Sequence, residues 1–391
     1  MANPSPTELD LRVTTRQASP TPVEAPSVKP QPAVSSPRRK NSFDIARFVA
    51  ASLVLVSHSF ALTGNVEPKV GDITLGLFSV WVFFIMSGFL ITQSWIQYPR
   101  FMVFMIKRAL RIFPALIVVC VASIIVLGFF STLSYYGYLK TPGAVQYLNN
   151  ILMFNTSYGL PGVFSTNVYP GAVNGSLWTL AYEFTMYLSI AFLGALFLFR
   201  RWSAFGIWLG LLLLNVVQLF DPFKRFFTFN LFYLDARLMS QLALMFYSGV
   251  VLQGFAKRVR YRAILWVPAL VLFFVGTHFA PSSAAVLGGL LLGYGVLGFC
   301  HLPFFSGFGR YGDFSYGIYV YAFVVQQVVA DQTHTRSSLE MFLVAFPATV
   351  ILGVLSWRLV EARCLKLKKA VQNSDYPLTE RHLARIRSFQ T

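Results

Sequence analysis

An arginine and a histidine lie eleven residues apart within the first apolar run of this chain, NSFDIARFVAASLVLVSHSFALTG. A helix turns about 100° per residue, so this spacing places Arg47 and His58 on one face, with Asp44 on the same side. The rise between Arg47 and His58 is roughly 16 Å, about half the hydrocarbon thickness of a bilayer. Because an imidazole can act as a general base or a nucleophile near neutral pH, His58 is a candidate catalytic residue.

Both residues also have a structural explanation. Charged groups are costly in hydrocarbon and usually face a bundle interior or a water-filled cavity, which favours a functional role. A neighbouring helix could nevertheless satisfy the His58 ring, and Arg47 could extend its guanidinium to the aqueous phase. The spacing by itself leaves both explanations open.

A glutamate lies inside another apolar run, NGSLWTLAYEFTMYL. Four polar residues follow one another there at steps of three and four, which predicts a polar stripe on one helix face: Ser176, Thr179, Glu183 and Tyr187. Asn174 or Ser176 is the expected N-cap of that helix. Glu183 is either a neutral structural residue bonded to a neighbouring helix or a residue of a functional site.

A pair of arginines precedes the third apolar run, in the segment FMIKRALRIFPAL. Arg108 and Arg111 are three residues apart, so they share a helix face that we expect at the cytosolic surface of the membrane. Guanidinium groups bind phosphate oxygens well, which favours an anionic ligand. The positive-inside rule explains basic residues at this place equally simply.

Composition places the chain among polytopic membrane proteins. Of its 391 residues, 55% are hydrophobic and only 12% are charged, and its mean hydropathy is +0.59, values that exclude a water-soluble protein of this size. The net charge of +17 comes from short basic clusters between apolar runs, so nucleic acid is not an expected partner. Cys120, Cys300 and Cys364 have no spacing typical of a disulfide framework or a zinc site, and no metal is expected.

Ten apolar segments predict an all-α integral membrane protein with about ten transmembrane helices and both termini in the cytoplasm. The expected spans cover residues 43–63, 74–96, 112–130, 176–199, 202–219, 231–254, 263–280, 284–300, 314–330 and 339–360. Alternating them from a cytoplasmic start puts every dense basic cluster on one side of the membrane. Residues 1–40 predict a disordered proline-rich cytoplasmic tail, residues 41–367 the transmembrane domain, and residues 368–391 a basic cytoplasmic tail.

The longest segment between spans covers residues 131–175 and is expected outside the cell. It is rich in tyrosine, asparagine, glycine and proline, and its length favours a functional segment or disorder. Its aromatic and amide side chains suit sugars, but an interfacial aromatic belt has the same composition.

Taken in order, these segments resemble membrane-bound acyltransferase family three, bacterial enzymes that acetylate surface polysaccharides, lipid-linked sugars and Nod factors. The resemblance covers roughly residues 41–367 and rests on six motifs: the spacing of Arg47 and His58, FFIMSGFLITQSW, FMIKRALRIFPAL, Trp178 followed five residues later by Glu183, GDFSYGIYVYAF, and the glutamate Glu361 of SWRLVEARCLKL. Two positions depart from the family pattern. Ala322 stands where many members carry a histidine, which leaves His58 as the single candidate, and Arg363 stands where a proline is common.

The resemblance implies an O-acetyltransferase of the bacterial inner membrane that moves an acetyl group from cytosolic acetyl-CoA to a glycan hydroxyl. His58 and Glu183 are the implied catalytic residues, with Glu183 either orienting His58 or binding the acceptor. Three arginines are implied to hold the phosphates of coenzyme A: Arg47, Arg108 and Arg111. Six residues are expected to bind the acceptor or support the site: Asp44, Trp178, Asp235, Arg237, Ser315 and Tyr316. Besides the coenzyme A thioester and the glycan, the expected partners are membrane lipid and polysaccharide-assembly proteins.

Other functions compete with this interpretation. A transporter or flippase of lipid-linked sugars also uses ionisable residues within the membrane, but it predicts internal repeats with broken helices, and the sequence shows no convincing repeat. A receptor or scaffold gives no reason for the spacing of Arg47 and His58. An acyltransferase that acts on a small molecule other than a sugar is a further alternative.

Overall fold

The computed structural model of the protein describes residues 41–196, 198–220, 229–231 and 233–373. The predicted proline-rich tail, residues 1–40, and residues 374–391 of the predicted basic tail lie outside the described residues. Residues 362–373 form a helix, so the described start of that second tail continues the membrane domain as regular structure.

Helices account for most of the described chain, as the apolar runs predict. In chain order they are α1 (Phe43–Leu62), α2 (Leu75–Gln97), α3 (Phe101–Leu127), α4 (Tyr135–Leu139), α5 (Pro142–Gln146), α6 (Trp178–Ala195), α7 (Arg201–Val217), α8 (Ala236–Gly254), α9 (Ala263–Phe279), α10 (Ala284–Leu287), α11 (Gly293–Cys300), α12 (Ser315–Thr333), α13 (Ser338–Ser356) and α14 (Ala362–Asn373). Two π-helical turns make longer runs: Gly288–Leu292 joins α10 to α11, and Trp357–Glu361 joins α13 to α14.

Short 3₁₀ helices lie at Gly128–Phe130, Tyr147–Leu152, Pro281–Ser283 and Phe308–Tyr311, and two small antiparallel hairpins also occur among the described residues. β1 (Lys69–Val70) pairs with β2 (Ile73–Thr74) between α1 and α2, and β3 (Asn230–Leu231) pairs with β4 (Leu234–Asp235) immediately before α8.

Five helical segments of the described chain are long and apolar enough to cross a membrane: Phe43–Leu62, Leu75–Gln97, Phe101–Phe130, Pro281–Cys300 and Ser338–Leu367. Shorter apolar helices lie at Arg201–Val217 and Ala263–Phe279. The protein is therefore a mostly helical, multi-pass membrane protein. The count of ten spans and the cytoplasmic placement of both termini stay predictions.

The third helix begins earlier than the apolar run predicts. α3 starts at Phe101, directly after Pro99 and Arg100, so Arg108 and Arg111 lie inside the helix and not in the connection before it. Residues before position 112 still bury an apolar face through Val103 and Phe104. The helix therefore continues through the basic residues, because their long side chains can reach a cavity without interrupting the backbone hydrogen bonds.

Two glycines bring α2 and α8 into contact, Gly88 of the motif FFIMSGFLITQSW and Gly249 of α8. A Cβ on Gly88 would lie 1.9 Å from the carbonyl oxygen of Phe246, and a Cβ on Gly249 would lie 2.1 Å from that of Ile85. The backbones of these helices can approach this closely only where no side chain stands between them.

The segment between α3 and α6 folds against the helices. Tyr138 and Tyr147 are buried in the core. Gln327 of α12 donates hydrogen bonds to the carbonyl oxygens of Tyr169 and Ala172, and Asn167 donates to the Gln327 side chain at 2.8 Å. These contacts hold the segment over the end of α12.

The predicted N-cap of α6 is wrong. The helix begins at Trp178 with Leu177 in the cap position, and that residue provides no side-chain cap. Asn174 instead donates a 2.9 Å hydrogen bond to the carbonyl of Val320 and accepts one from the Ser176 backbone. Its side chain is used to tie the preceding turn to α12, which the local sequence pattern cannot show.

Candidate active site

A cavity of about 300 Å³ lies among α1, α2, α3, α6 and α12. Its charged lining residues comprise four cations and two carboxylates: Arg47, Lys107, Arg108, Arg111, Glu183 and Asp313. Other lining residues are apolar or aromatic, among them Phe83 and Tyr319. The cavity thus joins a basic end to an apolar interior.

Asp313 holds two of the predicted arginines together. Its Oδ2 accepts hydrogen bonds from Arg47 at 2.9 Å and from Arg111 at 2.7 Å. Arg111 also contacts Glu361, which is 1% exposed, at 3.2 Å. Asp44 lies farther from Arg47, at 3.8 Å. Two of the three predicted phosphate-binding cations are therefore already paired with carboxylates.

The ionic state of Asp313 follows from this environment. Burial alone would raise the pKa of Asp313, but the guanidiniums of Arg111 and Arg47 outweigh it and lower the pKa to about 2. A 2.6 Å hydrogen bond from the Ser315 hydroxyl to Oδ1 acts in the same direction. Asp313 is consequently a carboxylate at any pH at which the protein would be studied.

Arg108 is arranged differently from Arg111. It donates a 3.3 Å hydrogen bond to the Ser94 hydroxyl, and its guanidinium carbon lies 6.0 Å from the centre of the Tyr187 ring. Its buried Nε has no hydrogen-bond partner, and within the described part of the chain Arg108 makes no ion pair. A buried cation in this state favours an anionic ligand in the cavity.

Glu183 lies in the same cavity as Arg108. As the helical spacing predicts, Thr179, Glu183 and Tyr187 all line this cavity. Tyr187 donates a short hydrogen bond to the Glu183 carboxylate, and the Ser87 hydroxyl lies 3.4 Å from that carboxylate and 3.2 Å from the Tyr187 hydroxyl. Glu183 is thus held at the cavity wall by two hydroxyl groups.

His58 lies beyond the far end of this cavity and is not among its described lining residues. Its ring packs edge-on against Phe323, with 5.1 Å between ring centres. Tyr319, which lines the cavity, precedes Phe323 by one turn of α12, a rise of about 6 Å. The His58 Nδ1 is buried without a hydrogen-bond partner, and in the described structure Glu183 makes no hydrogen bond to His58. An orienting role of Glu183 toward His58 stays a prediction that no hydrogen bond of the described structure supports.

Ser315 and Tyr316 belong to the basic end of the cavity. Ser315 bonds to Asp313, as described, and the Tyr316 hydroxyl donates a 2.9 Å hydrogen bond to the Ile112 carbonyl of α3. Both residues thereby fix the beginning of α12 beside the arginines. Their position is a supporting one, on the predicted donor side.

The remaining predicted residues lie elsewhere. Trp178 lines a separate cavity of about 460 Å³ on the other side of α6, where its ring contacts Tyr182 at 5.6 Å. Asp235 caps α8 by accepting a 2.6 Å hydrogen bond from the Leu238 backbone. Arg237 is exposed, and no ion pair joins it to Asp235 in the described structure. An interfacial ion pair between these two residues is therefore not formed.

Comparison with known proteins identifies the family. A family model described as an acyltransferase domain matches residues 40–358. The chain belongs to membrane-bound acyltransferase family three. The resemblance that the motifs indicate is therefore confirmed, and the protein is an acyltransferase enzyme.

Two relatives extend the comparison. The acyltransferase is 31% identical over 352 residues to a protein named O-acetyl transferase from Shigella phage Sf6, a match that covers 84% of this chain and 96% of the phage protein. It is 30% identical over 371 residues to Nodulation protein 10 of Rhizobium leguminosarum bv. viciae, covering 85% of this chain and 95% of that protein. No solved structure gives a significant match to the acyltransferase.

Several cavity residues of the acyltransferase were not among the site residues expected from sequence. Asp313 and Glu361 lie in family motifs and could have been chosen as partners for the arginines. Ser87, whose hydroxyl contacts Glu183, lies in the motif FFIMSGFLITQSW. Phe83 and Tyr319 also lie in family motifs, FFIMSGFLITQSW and GDFSYGIYVYAF, but their residue type did not mark them, since an aromatic residue in an apolar helix is typical of any core. No group of three or more potential metal ligands occurs among the described residues.

Proposed function

We propose that this acyltransferase moves an acetyl group from acetyl-CoA to a hydroxyl of a surface polysaccharide or lipid-linked sugar in a bacterial inner membrane. The single observation that carries the proposal is Arg108, a cation that makes no ion pair with any described residue and lies in a cavity that also contains Arg47 and Arg111. The printed name of the phage relative, O-acetyl transferase, supports acetyl as the group and oxygen as its acceptor.

The basic end of the cavity suits a polyphosphate group. Arg108 offers a buried Nε–H donor without a partner. Asp313 orients Arg47 and Arg111, but one carboxylate does not neutralise both of their charges. Lys107 adds a fourth positive charge to the lining. Guanidinium groups bind phosphate oxygens through charge-assisted hydrogen bonds, and the diphosphate of coenzyme A offers several such oxygens.

The interior of the cavity suits the arm that carries the thioester. Its lining changes from arginines to Phe83, Leu90 and Tyr319 as it enters the helix bundle. Arg47 and His58 are separated by a helical rise of roughly 16 Å, a distance comparable to the length of a pantetheine arm. The arm has to pass Tyr319 to bring the thioester to His58, because the cavity ends one turn before Phe323.

His58 supplies the chemistry in either of two routes. As a general base it takes the proton of the acceptor hydroxyl while that oxygen bonds to the acetyl carbon and the carbon–sulfur bond breaks; the proton then goes to the thiolate. As a nucleophile its ring nitrogen bonds to the acetyl carbon while the carbon–sulfur bond breaks and the thiolate leaves; the acceptor oxygen then bonds to that carbon, the nitrogen–carbon bond breaks, and the hydroxyl proton goes to the thiolate. Rapid acid quenching and mass spectrometry of peptides that contain His58 distinguish the routes by the presence of an acetylated histidine.

The acceptor enters from the side of His58 that faces the segment before α6. Tyr169 of that segment contacts Phe323, the same ring on which His58 packs. The Asn167 side-chain oxygen Oδ1 of the segment is buried without a hydrogen-bond partner in the described structure, and this acceptor suits a hydroxyl group of a sugar. This arrangement would keep donor and acceptor on opposite sides of the reacting histidine.

Membrane vesicles that contain the protein test the proposal directly. With acetyl-CoA labelled in its acetyl group, label should move to a glycan that is accessible from the opposite side. Proton NMR of surface glycan from cells with and without the protein provides the second measurement. We expect loss of O-acetyl signals from a glycan that is still exported; loss of the glycan itself would support a transporter instead.

A further inference from the structure

A groove of about 590 Å³ lies apart from the active site, where three helices reach the same boundary. α2 ends there at Gln97, α7 begins there at Arg201, and α8 ends there at Gly254. The groove is separated from the donor cavity by α2, since Ser94 contacts Arg108 on one side while Gln93 and Gln97 line the groove on another. Neither the acyl-transfer reaction nor the predicted motifs account for it.

The charge of the groove is strongly one-sided. Arg201, Lys257 and Arg258 line it, and no carboxylate occurs among its described lining residues. The side-chain amides of Gln93, Gln97 and Gln253 add uncharged hydrogen-bond donors. Lys257 and Arg258 are exposed, so a ligand can reach both side chains from solvent.

Arg201 is held in position for such a ligand. Its guanidinium carbon lies 5.6 Å from the centre of the Phe255 ring and 5.8 Å from that of Trp202. Arg201 is also the first residue of α7, a helix of 17 residues whose N-terminal peptide groups add partial positive charge. Ordered guanidinium, ammonium and amide donors are the combination that binds a phosphate group.

We propose that this groove binds the phosphate of an anionic phospholipid headgroup. A lipid is favoured over a soluble phosphate because Ile96 and Phe255 give the groove an apolar wall, and Trp202 beside it is 61% exposed. An exposed tryptophan next to basic residues is typical of the membrane–water boundary. Basic pockets between transmembrane helices on one side of a membrane are known to hold such headgroups.

The bound lipid would connect the ends of α2, α7 and α8. α2 and α8 cross through Gly88 and Gly249, and α2 also contributes Ser94 beside Arg108. The lipid therefore stabilises the helix that separates the groove from the donor cavity. Its binding is independent of the acyl donor, so it can be measured without any acetyl transfer.

Native mass spectrometry of the full-length protein in detergent tests the proposal with phosphatidylglycerol as the probe. The groove variant Lys257→Gln/Arg258→Gln removes two positive charges from the groove. Since each basic residue contributes about a fivefold factor to anionic lipid binding, its affinity for one phosphatidylglycerol should fall by about 25-fold. Both side chains are exposed, so the variant should unfold at an unchanged temperature without lipid.

A matched control separates the groove from general charge. Arg260→Gln/Arg262→Gln removes the same charge from the same connection between α8 and α9 but outside the groove lining, and should change the affinity less than threefold. Phosphatidylcholine should bind weakly to every variant. An equal loss of phosphatidylglycerol affinity in both double variants would overturn the proposal. Displacement of the lipid by inorganic phosphate or coenzyme A at millimolar concentration would assign the groove to a soluble ligand and overturn it as well.

Discussion

Arg111 donates a 2.7 Å hydrogen bond to Asp313, and this contact distinguishes Arg111 from Arg108, the neighbouring arginine of the same motif. Arg111 is neutralised by Asp313 and by Glu361, so its first role is to join α3 to the beginning of α12 and to the π-helical turn before α14. Arg108, one turn earlier on α3, makes no such pair among the described residues. Two arginines of one motif thus have different structural roles.

Replacing each arginine should separate these roles. Arg108→Ala should raise the KM for the acyl donor by roughly 10- to 100-fold, the loss expected for hydrogen bonds to a charged phosphate. It should leave the melting temperature in detergent unchanged. Arg111→Ala should instead lower the melting temperature markedly, because removing one partner of a buried pair costs about 3 kcal/mol or more. Identical melting temperatures for the two variants would contradict this division.

Asp313→Asn should weaken donor use by releasing Arg47 and Arg111 from their shared partner. Acidification should not reproduce this defect. The pKa of Asp313 is lowered to about 2, so the stability that its ionised form contributes is complete above pH 4 and is lost only as pH falls through about 2. Donor KM measured from pH 7.5 to pH 5 should therefore show no change that depends on Asp313. If the donor KM of the wild type rose toward that of the Asp313→Asn variant near pH 5, Asp313 would not be a permanently ionised carboxylate.

His58→Ala should abolish acetyl transfer while leaving the protein folded and abundant in the membrane. A positioned general base contributes roughly 100- to 10,000-fold, so the rate should fall by at least about 100-fold in the vesicle assay. His278→Ala is the matched control, since that ring is exposed at the end of α9. Activity retained by a well-expressed His58 variant would remove this residue from the mechanism.

Tyr319→Trp should slow transfer without weakening donor binding. Tyr319 is held at the end of the cavity by hydrogen bonds with Thr179 at 2.6 Å and with the Ser176 carbonyl at 3.0 Å. A larger ring there should close the passage toward His58 and lower kcat about tenfold, whereas coenzyme A should bind as before at the basic end. If coenzyme A affinity fell as much as kcat, the donor would not bind at the basic end of this cavity.

Gly88→Ala should destabilise the protein although the change is a single methyl group. The new Cβ would meet the Phe246 carbonyl at 1.9 Å, a backbone atom that cannot rotate away, so α2 and α8 must separate. Gly206→Ala is the matched control, because nothing lies within 4 Å of its Cβ position and alanine favours a helix by about 1 kcal/mol. After heating in detergent, size-exclusion chromatography should show that the folded-protein peak of the Gly88 variant disappears at a lower temperature than that of the wild type. The Gly206 variant should behave like the wild type.

The amino-acid sequence by itself determined the class of the protein and the candidates for its chemistry. Apolar runs of membrane length specify helices, because in lipid the backbone hydrogen bonds have to be satisfied within the segment. The helical steps from Thr179 to Tyr187 and the spacing of Arg47 and His58 are likewise local properties, so their shared faces follow from helix geometry alone. The ordered motifs were sufficient to identify the family, which the comparison confirms.

The tertiary structure decided which of these candidates meet. Asp313 and Glu361 reach Arg111 from 202 and 250 residues away, so no local pattern could show that Arg111 is neutralised while Arg108 is not. Glu183 bonds to Tyr187 and Ser87 and lies apart from His58, and Tyr319 stands between the cavity and that histidine. Contacts between helices depend on how whole helices are rotated and packed against one another, which is a property of all their faces together. For that reason the sequence could name candidate reacting groups, but their distances and partners came from the fold.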